Sequence, residues 1–98
     1  MNIIFSESTK KALLDEIEKS SYNHIRVKVV GVGCGKPAYD LFADFISDED
    51  FEVIINEVKF TIAKKDEKLC NDIEIKYDFM LEVYKVLCNT KLILHITL

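Results

Sequence analysis

The sequence predicts a small α+β domain, mainly β: an antiparallel β-sandwich with one N-terminal helix. Three observations predict it. Apolar residues recur at helical spacing in one stretch near the start, at Ala12, Leu13, Leu14 and Ile17. Later segments alternate apolar with polar residues, most clearly Ile25-Arg26-Val27-Lys28-Val29 and Ile73-Glu74-Ile75-Lys76-Tyr77. Hydrophobic residues make up 49% of the 98, enough for a core and too many for a disordered chain. That length predicts a single domain, 1–98, without repeats, linkers or low-complexity stretches.

The elements follow in order. Met1–Phe5 is a short apolar strand. Ser6 is placed to cap a helix from Glu7 to Lys19, which ends at Ser20-Ser21 and lays its apolar stripe on a sheet. In His24–Val30, the residues Ile25, Val27 and Val29 face inward, while His24, Arg26 and Lys28 face outward. Arg26 and Lys28 are read as a solvated face. Ala38–Ile46 alternates again and is expected to pair antiparallel with His24–Val30 across a seven-residue loop. Ser47-Asp48-Glu49-Asp50 reads as a solvated acidic turn without the spacing of an EF-hand. Phe51–Ile55 and Val58–Ala63 form a hairpin around Asn56-Glu57. Lys64–Cys70 is polar, with room for one or two helical turns. Ile73–Tyr77, Leu81–Leu87 and Leu92–Leu98 complete the strands.

Composition removes several classes of function. Thirteen Lys and Arg against seventeen Asp and Glu give a net charge of −4. No basic patch extends beyond pairs such as Lys10-Lys11 and Lys64-Lys65, which argues against nucleic acid. No apolar run approaches the roughly 20 residues of a membrane span, and the start lacks a signal peptide's basic and apolar regions. A cytoplasmic protein without membrane contact is expected. Three cysteines, an odd number without a CxxC pair, fit a reducing compartment rather than a disulfide framework.

The candidate site is Gly31-Val32-Gly33-Cys34-Gly35-Lys36-Pro37. It holds all three glycines and the only proline of the chain, with Cys34 at its centre. Glycine is retained where a backbone must adopt φ > 0 or be approached closely. A plain glycine-rich turn with an incidental cysteine stands beside this reading. Lys36 and loop amides would favour the Cys34 thiolate, a soft ligand for iron–sulfur clusters, zinc or copper(I). One thiolate is a weak site, since clusters take four ligands. Nucleophilic catalysis would need a base. His24 lies far down its strand and His95 on a terminal strand, so both read as structural and the chain as no enzyme. Gly31-Val32-Gly33 is not followed by a helix, as a phosphate loop would be. Cys70 and Cys88 end apolar runs and read as buried structural residues.

The order of these parts resembles the HesB-like domain of A-type iron–sulfur carriers, the IscA family. The resemblance runs over Met1–Tyr77. It rests on Ile25-Arg26-Val27-Lys28-Val29, the loop Gly31–Pro37 leading into Ala38-Tyr39-Asp40-Leu41, the hairpin Phe51–Phe60 and Asp72–Tyr77. It implies a role in iron–sulfur cluster biogenesis, iron or an Fe–S cluster held by Cys34 as metal ligand, a homodimer or other homo-oligomer, and assembly or client proteins as partners. Family members use a loop cysteine and a C-terminal Cys-x-Cys. Cys34 matches the first. Where the pair is expected, this chain has His95-Ile96-Thr97-Leu98. The alternatives are a HesB-like binding module without a cluster and a thiol or selenol-type redox protein using Cys34.

Overall fold

The computed structural model describes residues 1–33 and 36–88. The expected strand Leu92–Leu98 lies outside them. Strand β1 (Asn2–Ile4) leads into helix α1 (Glu7–Lys19). The Ser6 side chain accepts the Thr9 amide at 3.2 Å, meeting one of the donors a helix leaves unpaired at its start. Glu7 opens the helix and Lys19 closes it, each matching the helix dipole at its end. The end itself is fixed by Ser20, whose amide and hydroxyl both donate to the Ile17 carbonyl. The apolar stripe buries Leu13 completely. Thr9 Oγ1 accepts the Tyr77 amide at 3.2 Å, pinning the helix to the sheet beneath it.

Six further strands follow: β2 (His24–Gly33), β3 (Lys36–Asp44), β4 (Asp50–Ile55), β5 (Val58–Ala63), β6 (Asp72–Asp78) and β7 (Val83–Cys88). They form two sheets, one in the order β1-β6-β7 and one in the order β3-β2-β5-β4. The mainly β class with its N-terminal helix is as expected. The sheets are mixed, however: β2–β3, β4–β5 and β6–β7 are antiparallel, while β1–β6 and β2–β5 are parallel. Alternation marks a strand and its buried face, but it carries no information about a distant partner's direction.

The β4–β5 turn is Asn56-Glu57, with φ of 49° and 72°. Ile55 pairs with Val58 across it, so the turn is the two-residue left-handed type whose twist suits a hairpin. After β5 a 3-10 helix (Lys64–Cys70) carries Cys70 into the core. The core joins Ile3, Leu13, Ile25, Val27, Val58, Phe60, Ile62, Cys70, Ile73 and Ile75. Phe5 packs on Phe60 with ring centroids 5.8 Å apart. Among the described residues no helix is long and apolar enough to cross a membrane.

Two expectations need correction. The seven-residue loop is not a loop along its length. β2 runs on to Gly33 and β3 begins at Lys36, with Gly33 opposite Lys36, Val32 opposite Pro37 and Gly31 opposite Ala38. Nor is Arg26 solvated. Its side chain is 14% exposed and bonded on every nitrogen. Lys28 is exposed, as expected.

Candidate functional site

The candidate thiol lies in sequence between β2 and β3, and the base of this strand pair is held by a cluster of charged hydrogen bonds. Arg26 Nε donates to Asp44 Oδ2 at 2.5 Å, Nη1 to Asp50 Oδ1 at 2.9 Å, and Nη2 to Asp50 Oδ2 at 2.8 Å and the Phe45 carbonyl at 3.1 Å. The paired bonds to Asp50 use the planar fork that suits arginine to a carboxylate. Asp50 also accepts the Ser47 amide at 2.8 Å and the Ser47 hydroxyl at 2.9 Å. Arg26 and then Ser47 hold the Asp50 carboxyl well below the usual range. Asp50 and Asp44 in turn lock the guanidinium in its charged form. The acidic turn Ser47–Asp50 is thus partly internal: Arg26 of β2 holds β3 through Asp44, and the turn and β4 through Asp50.

His24 is 8% exposed, and its Nε2 stands 2.6 Å from Glu52 Oε2. It joins β2 to β4, as a structural histidine would. It lies nine residues from Gly33, roughly 30 Å along an extended strand, so it is no partner for a group at the hairpin end.

Toward that end the register shifts between Val29 and Gly31, leaving Val30 as a bulge. Bulges bend and twist a strand and re-aim its side chains. Val30 at the bulge and Val32 beyond it are 55% and 61% exposed. A Cβ added at Gly31 would meet no atom within 4 Å, so close approach is not what selects glycine there. Pro37 is tolerated because β3 is an edge strand, where a missing N–H need not break a ladder. Cys34 and Gly35 lie outside the described residues, as does His95. The described strands bring the chain to Gly33 and take it up again at Lys36.

Cys70 is fully buried and Cys88 half-buried, and both are free thiols. Sequence reasoning placed them in structural positions, and their burial agrees. Tyr39, five residues after Cys34, donates its hydroxyl to the Leu69 carbonyl. Burial, reinforced by Cys88, pushes the Tyr39 phenol above its usual range. Among the described residues no three His, Cys, Asp or Glu side chains converge as metal ligands. A cleft of about 730 Å³ opens beside β2, lined by Arg26, Lys28, Phe42 and Lys64 among others. Sequence reasoning missed both the Arg26–Asp50 clamp and the Tyr39 contact, because neither pair is local.

No family model matches the sequence, and neither does any curated protein. Solved structures do match the fold. A crystal structure of IscA with its 2Fe–2S cluster superposes with a TM-score of 0.69 at 16% identity, covering 90% of this chain and 86% of that one. Escherichia coli SufA, involved in the biosynthesis of iron–sulfur clusters, gives 0.69 at 10% identity, covering 91% and 82%. A solution structure of an Aquifex aeolicus protein gives 0.61 at 20% identity, covering 86% and 88%. The sequence of elements and the two mixed sheets are therefore those of the HesB-like fold of the A-type carriers IscA and SufA.

Proposed function

We propose that this chain is a HesB-like protein of iron–sulfur cluster biogenesis that binds iron or an Fe–S cluster through Cys34. The likeness to IscA, a protein crystallised with a 2Fe–2S cluster, carries this reading, since it extends over 90% of the chain. The rigid, clamped β2–β3 hairpin supports it. Anchoring by Arg26, Asp44 and Asp50 gives the strands flanking Cys34 a fixed base from which a ligand can be presented.

The donor chemistry fits in part. A thiolate is the ligand iron–sulfur clusters take, and the glycines beside Cys34 leave its flanks without side chains. Three further ligands are required. Cys70 is buried at the far end of the 3-10 helix, and the C-terminal Cys-x-Cys of the family is absent from the sequence. The reading therefore has two chains meet as a homodimer, each giving one Cys34 thiolate, with a small thiol or a client protein completing the set. The protein's part is to hold and hand over the group as a binding protein, not to catalyse a reaction, and its partners are assembly or client proteins. Nothing in this reading needs a membrane or nucleic acid, and its setting is the cytoplasm.

Anaerobic incubation with ferrous iron and sulfide tests it. Visible charge-transfer absorbance that disappears in Cys34→Ser and persists in Cys88→Ser is the expected result. Absorbance indifferent to Cys34 would overturn the assignment of the ligand to Cys34, and a colourless protein would leave a cluster-free HesB-like module or a thiol redox protein as the reading.

A further inference from the structure

The end of β6, the turn after it and the start of β7 gather three aromatic rings that the proposed cluster role does not use. Tyr77 is flanked by Phe79 and Tyr84, each with its ring centroid 4.7 Å from that of Tyr77. Phe79 stands at 89° to Tyr77 and Tyr84 at 50°, so the rings form a corner rather than a flat stack. All three line a cleft of about 620 Å³ whose other wall is α1. The turn that carries Phe79 is held in place: Asp78 Oδ1 accepts the Met80 amide at 2.9 Å and the Leu81 amide at 3.1 Å. Phe79 is 61% exposed, so one side of the corner is open to solvent. The Tyr84 hydroxyl oxygen is buried, so Tyr84 does not offer the cleft its hydroxyl.

Carboxylates rim the same cleft. Glu16 borders it from α1 and Glu82 from the turn, and both also border the neighbouring groove beside Tyr84. Asp15 and Lys19 face it too, but they pair with each other at 2.9 Å. That leaves Glu16 and Glu82 against Lys11, a net negative rim. Aromatic faces carry negative charge, and acids beside them add to it, so the site suits a cation. A simple ammonium is strongly hydrated and gives up its water reluctantly. A quaternary ammonium donates no hydrogen bond, so rings and carboxylates supply all the recognition it requires. We propose that this cleft binds an organic cation with a trimethylammonium head, the head against Tyr77, Phe79 and Tyr84 and its charge balanced by Glu16 and Glu82. Free small molecules and trimethylated lysine side chains both carry that head. The site stands apart from the ligand role given to Cys34.

The test titrates the full chain with choline at low salt and follows the Tyr and Phe ring protons by NMR. Choline should shift the rings of Tyr77, Phe79 and Tyr84 saturably. It should bind roughly tenfold more tightly than 3,3-dimethylbutan-1-ol, its uncharged carbon isostere. Phe79→Ala, at an exposed position, should weaken choline roughly threefold or more. Glu16→Gln, on the exposed face of α1, should weaken it about twofold and reduce its salt dependence. A short peptide bearing trimethyl-lysine gives the source of the head. Binding tighter than choline assigns it to a protein side chain, and equal or weaker binding to a free small molecule. An isostere that binds as tightly as choline overturns the proposal, because apolar contact alone then accounts for the site. Choline shifts that fail to saturate overturn it, as does an affinity unchanged in both variants. No outcome bears on Cys34, which iron and sulfide reconstitution reads separately.

Discussion

Replacing Arg26 by methionine removes the clamp at the hairpin base while keeping much of the side chain's length. Four bonds go: one to Asp44, two to Asp50 and one to the Phe45 carbonyl. Bonds to charged groups are worth about 1.5–3 kcal/mol each, and their sum overstates the loss because they share one donor. The decisive cost is what remains. The Asp50 side chain is 3% exposed and would keep only its Ser47 partners, leaving a buried carboxylate without a counter-charge. Breaking a buried pair costs about 3–5 kcal/mol, and the surviving Ser47 bonds place the expectation near 3 kcal/mol. For a domain of this size that lowers the melting temperature by roughly 12–24 °C. Thermal and urea unfolding followed by circular dichroism read it directly. The pH dependence supplies a second readout. Asp50 binds its proton less readily folded than unfolded, so its contribution is complete above about pH 5 and is withdrawn as pH falls below about 4. The wild-type chain should lose stability over that range, and Arg26→Met should lose much less. In a double-mutant cycle, Asp50→Asn should recover part of the loss in the Arg26→Met background. A variant destabilised by less than about 1 kcal/mol, or one with an unchanged acid limb, would refute the clamp.

Two further predictions concern local backbone and core chemistry. Glu57 sits at φ 72° in the β4–β5 turn, a left-handed conformation that costs a side chain about 1–2 kcal/mol, while its 3.5 Å contact with the half-buried Lys10 leaves the Glu57 side chain itself exposed. Glu57→Gly should therefore raise stability by about 0.5–1 kcal/mol in denaturant unfolding, and a loss would contradict the assigned turn. Thr61 is fully buried and, among the described residues, its hydroxyl has no partner. Thr61→Val keeps the shape and removes the orphan group, so it should be neutral to about 1 kcal/mol stabilising. A loss above about 1 kcal/mol would show that the hydroxyl does have a partner.

What could be read from the sequence was what depends on neighbours along the chain. Helix α1 follows from Ser6, the stripe Ala12–Ile17 and Ser20, and its bounds Glu7–Lys19 are those expected. The Asn56-Glu57 hairpin is local in the same way. The glycine segment was placed correctly between paired strands, yet its strands run further toward Cys34 than expected. Glycines at Gly31 and Gly33 read as a break in pattern, whereas the ladder continues through them after the Val30 bulge. The parallel pairings β1–β6 and β2–β5 join residues far apart in sequence, and no local signal announces them. Arg26 looked solvated because it alternates with valines. Its burial is decided by Asp44 and Asp50, eighteen and twenty-four residues away. Cys70 and Cys88 were legible as residues at the ends of apolar runs, but the bond from Tyr39 to the Leu69 carbonyl beside Cys70 spans thirty residues and was not.

The central claim is that Cys34 is the ligand through which this chain holds iron or an iron–sulfur cluster. Its most direct test is the iron and acid-labile sulfide content of the chain after anaerobic reconstitution and desalting, wild type beside Cys34→Ser. The account predicts iron and sulfide in the wild-type protein, eluting with a dimer, and neither in the variant. Equal iron and sulfide in both proteins, or none in either, would contradict it.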